Sequence, residues 1–175
     1  MSVVLLIASL LLVGAGIAKA ARPADTWRAL SRAGLPVGRG PSIVRAGAAT
    51  EVVIGVTAIV VGGPVPAAMV CLSYAAFAVF ITVALRQGWA LASCGCFGEP
   101  DSPPTVAHVM IDALLAVGAG LSAVDGVSPR EAIGRHPATG AVTVIMALVT
   151  TGLLYLVFAR LPRLRVVVAS SGGRP

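Results

Sequence analysis

Residues 2–20 read SVVLLIASLLLVGAGIAKA, an apolar run whose only charge is Lys19, close to its end. As an α-helix these 19 residues would be about 28 Å long, which matches the hydrocarbon thickness of a bilayer. Ala18-Lys19-Ala20 also resembles a signal-peptide cleavage site, but no basic region precedes the run. We therefore favour a retained transmembrane helix.

The composition of the whole chain points to the membrane as well. Of its 175 residues, 57% are hydrophobic and 11% charged, and the mean hydropathy is +0.94. A soluble domain has about 25% charged residues, so this chain has too few polar groups to cover a globule in water. The sequence predicts an all-α, polytopic membrane bundle surrounded by the lipid bilayer. The net charge of +6 is then assigned to membrane orientation, and no nucleic-acid partner is predicted.

Four further apolar runs extend this pattern. They are Ala46 to Val61, Ala67 to Leu85, Thr105 to Ala123 and Thr139 to Phe158. In the first connection, Thr26 to Ala33 is predicted to form a short interfacial helix, for which Trp27 is suited. We expect three parts: a four-helix membrane domain over 1–123, a connecting loop and a fifth transmembrane helix over 124–158, and a basic, disordered tail over 159–175.

The lysines and arginines predict the orientation. With five spans, 11 of them share one side, namely Lys19, Arg22, Arg28, Arg32, Arg39, Arg45, Arg86, Arg160, Arg163, Arg165 and Arg174. Only Arg130 and Arg135 fall on the other side. Because cytoplasmic loops carry the excess of basic residues, the basic loops and the C-terminal tail are predicted to be cytoplasmic in a cell membrane.

The connection between the third and fourth spans contains Ser93-Cys94-Gly95-Cys96-Phe97-Gly98. A disulfide between Cys94 and Cys96 would close a tight ring, which Gly95 makes accessible and which is easily reduced. We interpret the two cysteines as a catalytic redox pair. Two alternatives remain: a dithiol that binds a soft ion such as Cu(I), and two unpaired buried thiols. Cys71, early in the third span, is predicted to be a small packing residue.

Four ionisable residues fall within or at the ends of the spans: Lys19, Glu51, His108 and Asp112. Charge in a bilayer is expensive, so such residues indicate function by default. Glu51 and Asp112 are expected about 9 and 10 Å inside the membrane, on the side of the cysteine loop. His108 and Asp112, four residues apart, share a helical face. A nearby base or cation would favour the cysteine thiolate, and a carboxylate could relay a proton. The structural alternative is an ion pair such as Lys19–Glu51 that locks two helices together. His108, at the start of its helix, is expected to be solvated at the interface.

The CGCFG sequence at 94–98, together with Lys19 at the end of the first span and Glu51 early in the second, resembles the MauE family of methylamine utilisation proteins, within the broader DoxX-like group. The resemblance covers roughly Val3 to Ala123. It implies a multi-pass membrane protein that takes part in the processing, transport or maturation of a disulfide-containing subunit of methylamine dehydrogenase. Such a client matures outside the cytoplasm, whereas the arginine count places Cys94 and Cys96 inside. Either electrons pass from the cytoplasmic side, or the loop is re-entrant, or one assigned span does not cross.

The sequence thus predicts a membrane thiol–disulfide redox or maturation factor, with a thiol–disulfide oxidoreductase as the corresponding enzyme class. Cys94 and Cys96 would cycle between dithiol and disulfide, with a thioredoxin-like protein or a disulfide-containing client as partner. Lys19, Glu51, His108 and Asp112 would support them. The alternatives are a soft-metal binding or transport protein and a non-catalytic membrane subunit. No metal site and no particular cofactor is predicted.

Overall fold

The computed structural model of the chain describes residues 2–32, 34, 40–88, 105–125 and 145–153. Five helices are α1 (Ser2–Ala21), α2 (Pro23–Arg32), α3 (Pro41–Val60), α4 (Pro64–Arg86) and α5 (Val106–Asp125). Residues 145–153 are helical as well. No strand occurs in the part of the chain that is described. The all-α prediction is confirmed.

Four of these helices, α1, α3, α4 and α5, are long and apolar enough to cross a membrane. At 20 to 23 residues they measure about 30 to 35 Å, the thickness of the hydrocarbon core. The multi-pass membrane prediction is therefore confirmed. The predicted fifth span includes the helical residues 145–153, but its ends lie outside the described residues. The fifth span, the three-part division of the chain and the basic tail stay predictions.

Two spans begin earlier than predicted, for one physical reason. The sequence predicts the second span from Ala46, after an arginine-bearing connection, and the third from Ala67, after a turn that contains Pro64 and Pro66. In the structure α3 begins at Pro41 and α4 at Pro64, each directly after a glycine with positive φ (62° at Gly40, 87° at Gly63). The backbone N–H groups of a helix's first turn have no hydrogen-bond partner within the helix. A proline there therefore loses no hydrogen bond, and it can start the helix.

The short interfacial helix shows a similar difference. We predicted it over Thr26 to Ala33, and α2 in fact begins at Pro23, again with proline in the first turn. Asp25 in that turn accepts a hydrogen bond from Arg28 Nη2 at 2.6 Å. The acidic side chain also interacts favourably with the positive end of the helix dipole.

Helix α1 lies at the centre of the bundle. It contacts α3, α4 and α5, while α4 packs against α5 and α3. Of the four spans it is the most buried within the protein. The core that it forms with α4 and α5 consists mainly of small and branched apolar side chains: Leu5, Ala8, Leu11, Leu12, Val70, Tyr74, Leu115, Ala116 and Ala119.

Two glycines bring α1 and α3 into backbone contact. A Cβ at Gly16 would lie 2.7 Å from the Ala48 carbonyl oxygen, and one at Gly55 would lie 2.8 Å from the Ser9 carbonyl oxygen. Small residues permit such close approach, on which helix association in lipid depends. These contacts also fix the antiparallel register of the two helices.

The same register defines the two ends of the bundle. One end of the bundle contains the end of α1, all of α2, the start of α3, the end of α4 and the start of α5. We call it the basic end, because it carries Lys19, Arg22, Arg28, Arg32, Arg45 and Arg86. The opposite end holds the α3–α4 turn and Asp125. Val4 next to Gly118, and Cys71 Sγ 3.3 Å from a Cβ at Gly120, place α5 in this antiparallel arrangement.

Replacing Gly16 by alanine should destabilise the protein, because the added methyl group meets the α3 backbone. Overpacking of this kind costs about 1 to 3 kcal/mol. We expect Gly16→Ala to lower the thermal unfolding midpoint in detergent, followed by circular dichroism. Gly14→Ala is the matched control: nothing lies within 4 Å of its Cβ, so its midpoint should stay unchanged or rise. Equal midpoints for the two variants would contradict the close α1–α3 contact.

Candidate buried site at the basic end

Lys19 and Glu51 form an ion pair inside the bundle. Lys19 Nζ lies 2.6 Å from Glu51 Oε1 and 2.8 Å from Oε2, so the ammonium donates to both carboxylate oxygens. The side chains are only 9% and 14% exposed, respectively. The helix-locking arrangement, which the sequence left as an alternative, is the one that these contacts show.

The antiparallel register explains why these two side chains meet. Gly16 contacts α3 at Ala48 and Val52, so Glu51 lies level with Gly16, about 7.5 Å before the end of α1. This is close to the depth expected for Glu51. Side chains tilt toward the start of their own helix. Lys19 therefore reaches inward along α1, whereas Glu51 reaches toward the basic end.

The ion pair also contacts a third helix. Lys19 Nζ lies 4.4 Å from the centroid of the Phe77 ring in α4, within the range of a cation–π interaction. Phe77 in turn meets Tyr74 edge to face, with centroids 6.0 Å apart. The Tyr74 hydroxyl donates to the Ala8 carbonyl at 2.8 Å. One ammonium group thus interacts with α3 and α4 from its position on α1.

His108 and Asp112 lie one turn apart on a buried face of α5, as their spacing predicts. They are 5% and 7% exposed. The expectation that His108 is solvated at the interface is wrong, because its ring folds back onto the start of its own helix. His108 Nδ1 accepts a hydrogen bond from the Thr105 backbone N–H at 3.3 Å and lies 2.8 Å from Thr105 Oγ1.

This contact is a variant of the capping box. Thr105 precedes α5, and His108, three residues later, takes the place that Glu or Gln holds in the usual motif. Since Nδ1 accepts from the Thr105 backbone, the neutral ring carries its proton on Nε2. His108 is thereby held in one tautomer at the point where the chain enters α5.

Cys94 and Cys96 lie outside the described residues. The chain leaves α4 after Arg86 and enters α5 at Val106, and both points are at the basic end. Cys71 is a free, half-buried thiol that packs against the core, which agrees with the packing role predicted for it. It lies 15 residues before Arg86, about 22 Å along α4. Among the residues that the structure describes, no three His, Cys, Asp or Glu side chains gather as metal ligands.

Sequence reasoning missed Phe77, Tyr74 and Thr105. Phe77 and Tyr74 sit in an apolar span and carry no signal that separates them from core residues. Thr105 could have been found, because a threonine three residues before His108 at a helix start follows the spacing of a capping box. The sequence singled out each of Lys19, Glu51, His108 and Asp112, and the structure buries all four to within about 14% exposure.

Neutralising one partner of the ion pair should destabilise the protein more than neutralising both. Lys19→Met or Glu51→Gln leaves a buried charge without compensation, which costs about 3 to 5 kcal/mol. The double variant removes both charges, so we expect it to be more stable than either single variant. Chemical unfolding in detergent measures the three free energies of unfolding.

The exposed pair Asp25–Arg28 supplies the control. Its Arg28 side chain is 58% exposed, so water screens the interaction and Asp25→Asn should change stability by about 1 kcal/mol or less. Additive single-variant effects at Lys19 and Glu51 would show that the two groups are not coupled.

Comparison with known families agrees with this architecture. The family model "Methylamine utilisation protein MauE" matches residues 1–125, which contain all five helices and the four buried ionisable residues. Neither curated proteins nor solved structures gave a significant match. The match spans well over half of the chain, and this protein therefore belongs to the MauE family of multi-pass membrane proteins.

Proposed function

We propose that this protein is a membrane thiol–disulfide redox or maturation factor in which Cys94 and Cys96 are the working pair. The observation that carries the proposal is the Cys-Gly-Cys sequence in the connection from α4 to α5, which starts and finishes at the basic end. That end also holds the buried ionisable residues of the bundle. A strained pair of this kind exchanges readily with other thiols and disulfides.

Oxidation of a client dithiol by the Cys94–Cys96 disulfide needs no other reactant. A thiolate of the client attacks one sulfur of the Cys94–Cys96 disulfide, forming a mixed disulfide and releasing the other cysteine as a thiolate. A second client thiolate then displaces the bound cysteine. The client gains a disulfide, while Cys94 and Cys96 take up two electrons and two protons as a dithiol. In the opposite direction, a thioredoxin-like dithiol reduces the Cys94–Cys96 disulfide by the same exchange, and the resulting dithiol then reduces a client disulfide.

The four buried residues support this chemistry in different ways. Lys19 and Glu51 hold α1 to α3 at the basic end, because each satisfies the other's charge. His108 and Asp112 are the candidates for proton handling, since they lie on the first two turns of α5, where the cysteine-bearing connection ends. His108 reaches Thr105, nine residues beyond Cys96, and so fixes the point at which this connection rejoins the bundle.

The distribution of charge gives the proposed orientation. Every lysine and arginine in the described residues lies at the basic end, whereas the opposite end of the described bundle carries Asp125. By the positive-inside rule, the basic end faces the cytoplasm of the cell membrane. The partner that reaches Cys94 and Cys96 is then a cytoplasmic thioredoxin-like protein. The family description suggests a client in methylamine utilisation.

Labelling of intact cells tests this orientation. In a Cys71→Ser background, a membrane-impermeant maleimide should leave Cys94 and Cys96 unmodified until the membrane is permeabilised, because they face the cytoplasm. After permeabilisation, prior reduction should increase labelling if the pair forms a disulfide. Labelling of intact cells after reduction would instead place the pair outside the cytoplasm.

Variants of the pair test the chemistry. Cys94→Ser and Cys96→Ser, each with Cys71→Ser, should abolish the two-electron redox transition of the purified protein, because one thiol cannot close the ring. Maleimide trapping across a series of glutathione buffers measures that transition. Gly14→Ala with Cys71→Ser is the control and should keep the transition, since it removes no thiol and a Cβ at Gly14 meets nothing within 4 Å. A parent protein that shows no transition but binds Cu(I) stoichiometrically would contradict redox cycling and favour the soft-metal alternative.

A further inference from the structure

Among the arginines of the basic end whose side chains the structure describes, three are exposed and lie outside the two ion pairs. Lys19 pairs with Glu51, and Arg28 pairs with Asp25. Arg22, Arg45 and Arg86 are exposed, and within the described part of the chain none of them has a carboxylate partner. Within the described residues, this end therefore keeps a positive charge that no carboxylate neutralises.

Two of these arginines lie at one height. Gly16 contacts Ala48, so Arg45, three residues nearer the start of α3, lies level with the last turn of α1. Arg22 follows directly after that turn. Because α1 is about 30 Å long, which matches the hydrocarbon core, both guanidinium groups reach the height of the lipid headgroups.

The helix surfaces below these arginines are apolar and exposed. Ile17, about 7.5 Å below Arg22 on α1, is 57% exposed. Val53, about 12 Å below Arg45 on α3, is 63% exposed. A ligand that contacts both the arginines and the apolar helix surfaces below them must carry an anionic group at one end of its hydrocarbon chains. An acidic protein or a free phosphate would contact the arginines but would leave the apolar helix surfaces below them uncovered.

Helix α2 adds a surface-lying element to the same region. Its Thr26 is buried and it packs against α3, while Arg28 on its outer side is 58% exposed. A short helix with a buried side, an arginine-bearing polar side and a tryptophan, here Trp27, is typical of the membrane interface.

We propose that the basic end, around Arg22, Arg45 and α2, binds anionic phospholipids, with the arginines on the phosphate-bearing headgroup and the acyl chains against Ile17 and Val53. Anionic lipids are enriched on the cytoplasmic leaflet, and basic residues near that surface attract them. This inference does not depend on the redox chemistry of Cys94 and Cys96.

Electron spin resonance with spin-labelled lipids tests the proposal. The full chain is reconstituted in phosphatidylcholine bilayers, and a trace of spin-labelled phosphatidylglycerol or phosphatidylcholine reports the lipid held at the protein surface. We expect phosphatidylglycerol to be enriched on the order of fivefold, the effect of about one arginine near the surface. The double variant Arg22→Gln/Arg45→Gln should bring this enrichment toward equality.

Two variants serve as controls. Arg22→Lys/Arg45→Lys keeps the charge and should keep the enrichment. Arg163→Gln/Arg165→Gln removes the same number of charges from the tail and should keep it too. If the glutamine variant at Arg22 and Arg45 fails to fold, 0.5 M salt added to the unchanged protein should weaken the enrichment, because it screens exposed charges.

Three results would overturn the proposal. One is equal association of the two lipids with the unchanged protein, which would favour an acidic protein as the partner. Another is a loss at Arg163 and Arg165 as large as that at Arg22 and Arg45. The third is displacement of the spin-labelled phosphatidylglycerol by millimolar glycerol phosphate, which would identify a soluble phosphate as the ligand.

Discussion

A buried charge in a bilayer protein must find its opposite, and the Lys19–Glu51 pair is where this bundle meets that constraint. A buried charge left without its partner costs about 3 to 5 kcal/mol. Here both carboxylate oxygens of Glu51 accept from the ammonium group, and the Phe77 ring lies against it. These contacts form only when α1, α3 and α4 pack together. Pairing the Lys19 charge therefore also fixes the packing of three helices.

The small residues make that arrangement geometrically accessible. Gly16 and Gly55 allow α1 and α3 to touch along their backbones, and this contact sets the height at which Glu51 faces Lys19. In a bilayer, apolar side chains gain little free energy by moving from lipid into a helix interface. Close packing and polar contacts therefore stabilise the association of the helices. The glycines and the ion pair are therefore two parts of one constraint.

The function proposed for the protein uses this rigid end. The connection bearing Cys94 and Cys96 is attached at both of its ends to helices that the buried contacts hold in place, and His108 closes on Thr105 where the chain re-enters the bundle. Membership of the MauE family agrees with a multi-pass membrane protein. The proposed thiol chemistry rests on the presence of Cys94 and Cys96 in the sequence.

The sequence alone determined that the chain is helical and crosses a membrane, because apolar runs of about 20 residues have few other stable structures in lipid. It also singled out Lys19, Glu51, His108 and Asp112, since charge is rare and costly there. It misplaced the starts of α2, α3 and α4, because a proline reads equally as a turn or as a first helical turn. Only the tertiary structure decided which side chains meet. The register set by Gly16 and Gly55 brings Lys19 and Glu51 together, and packing places the Phe77 ring against the ammonium group. The His108 ring folds onto Thr105 and is buried, although its place at the helix start predicted solvation at the interface. Such outcomes depend on distances between helices, which the order of residues along one helix does not contain.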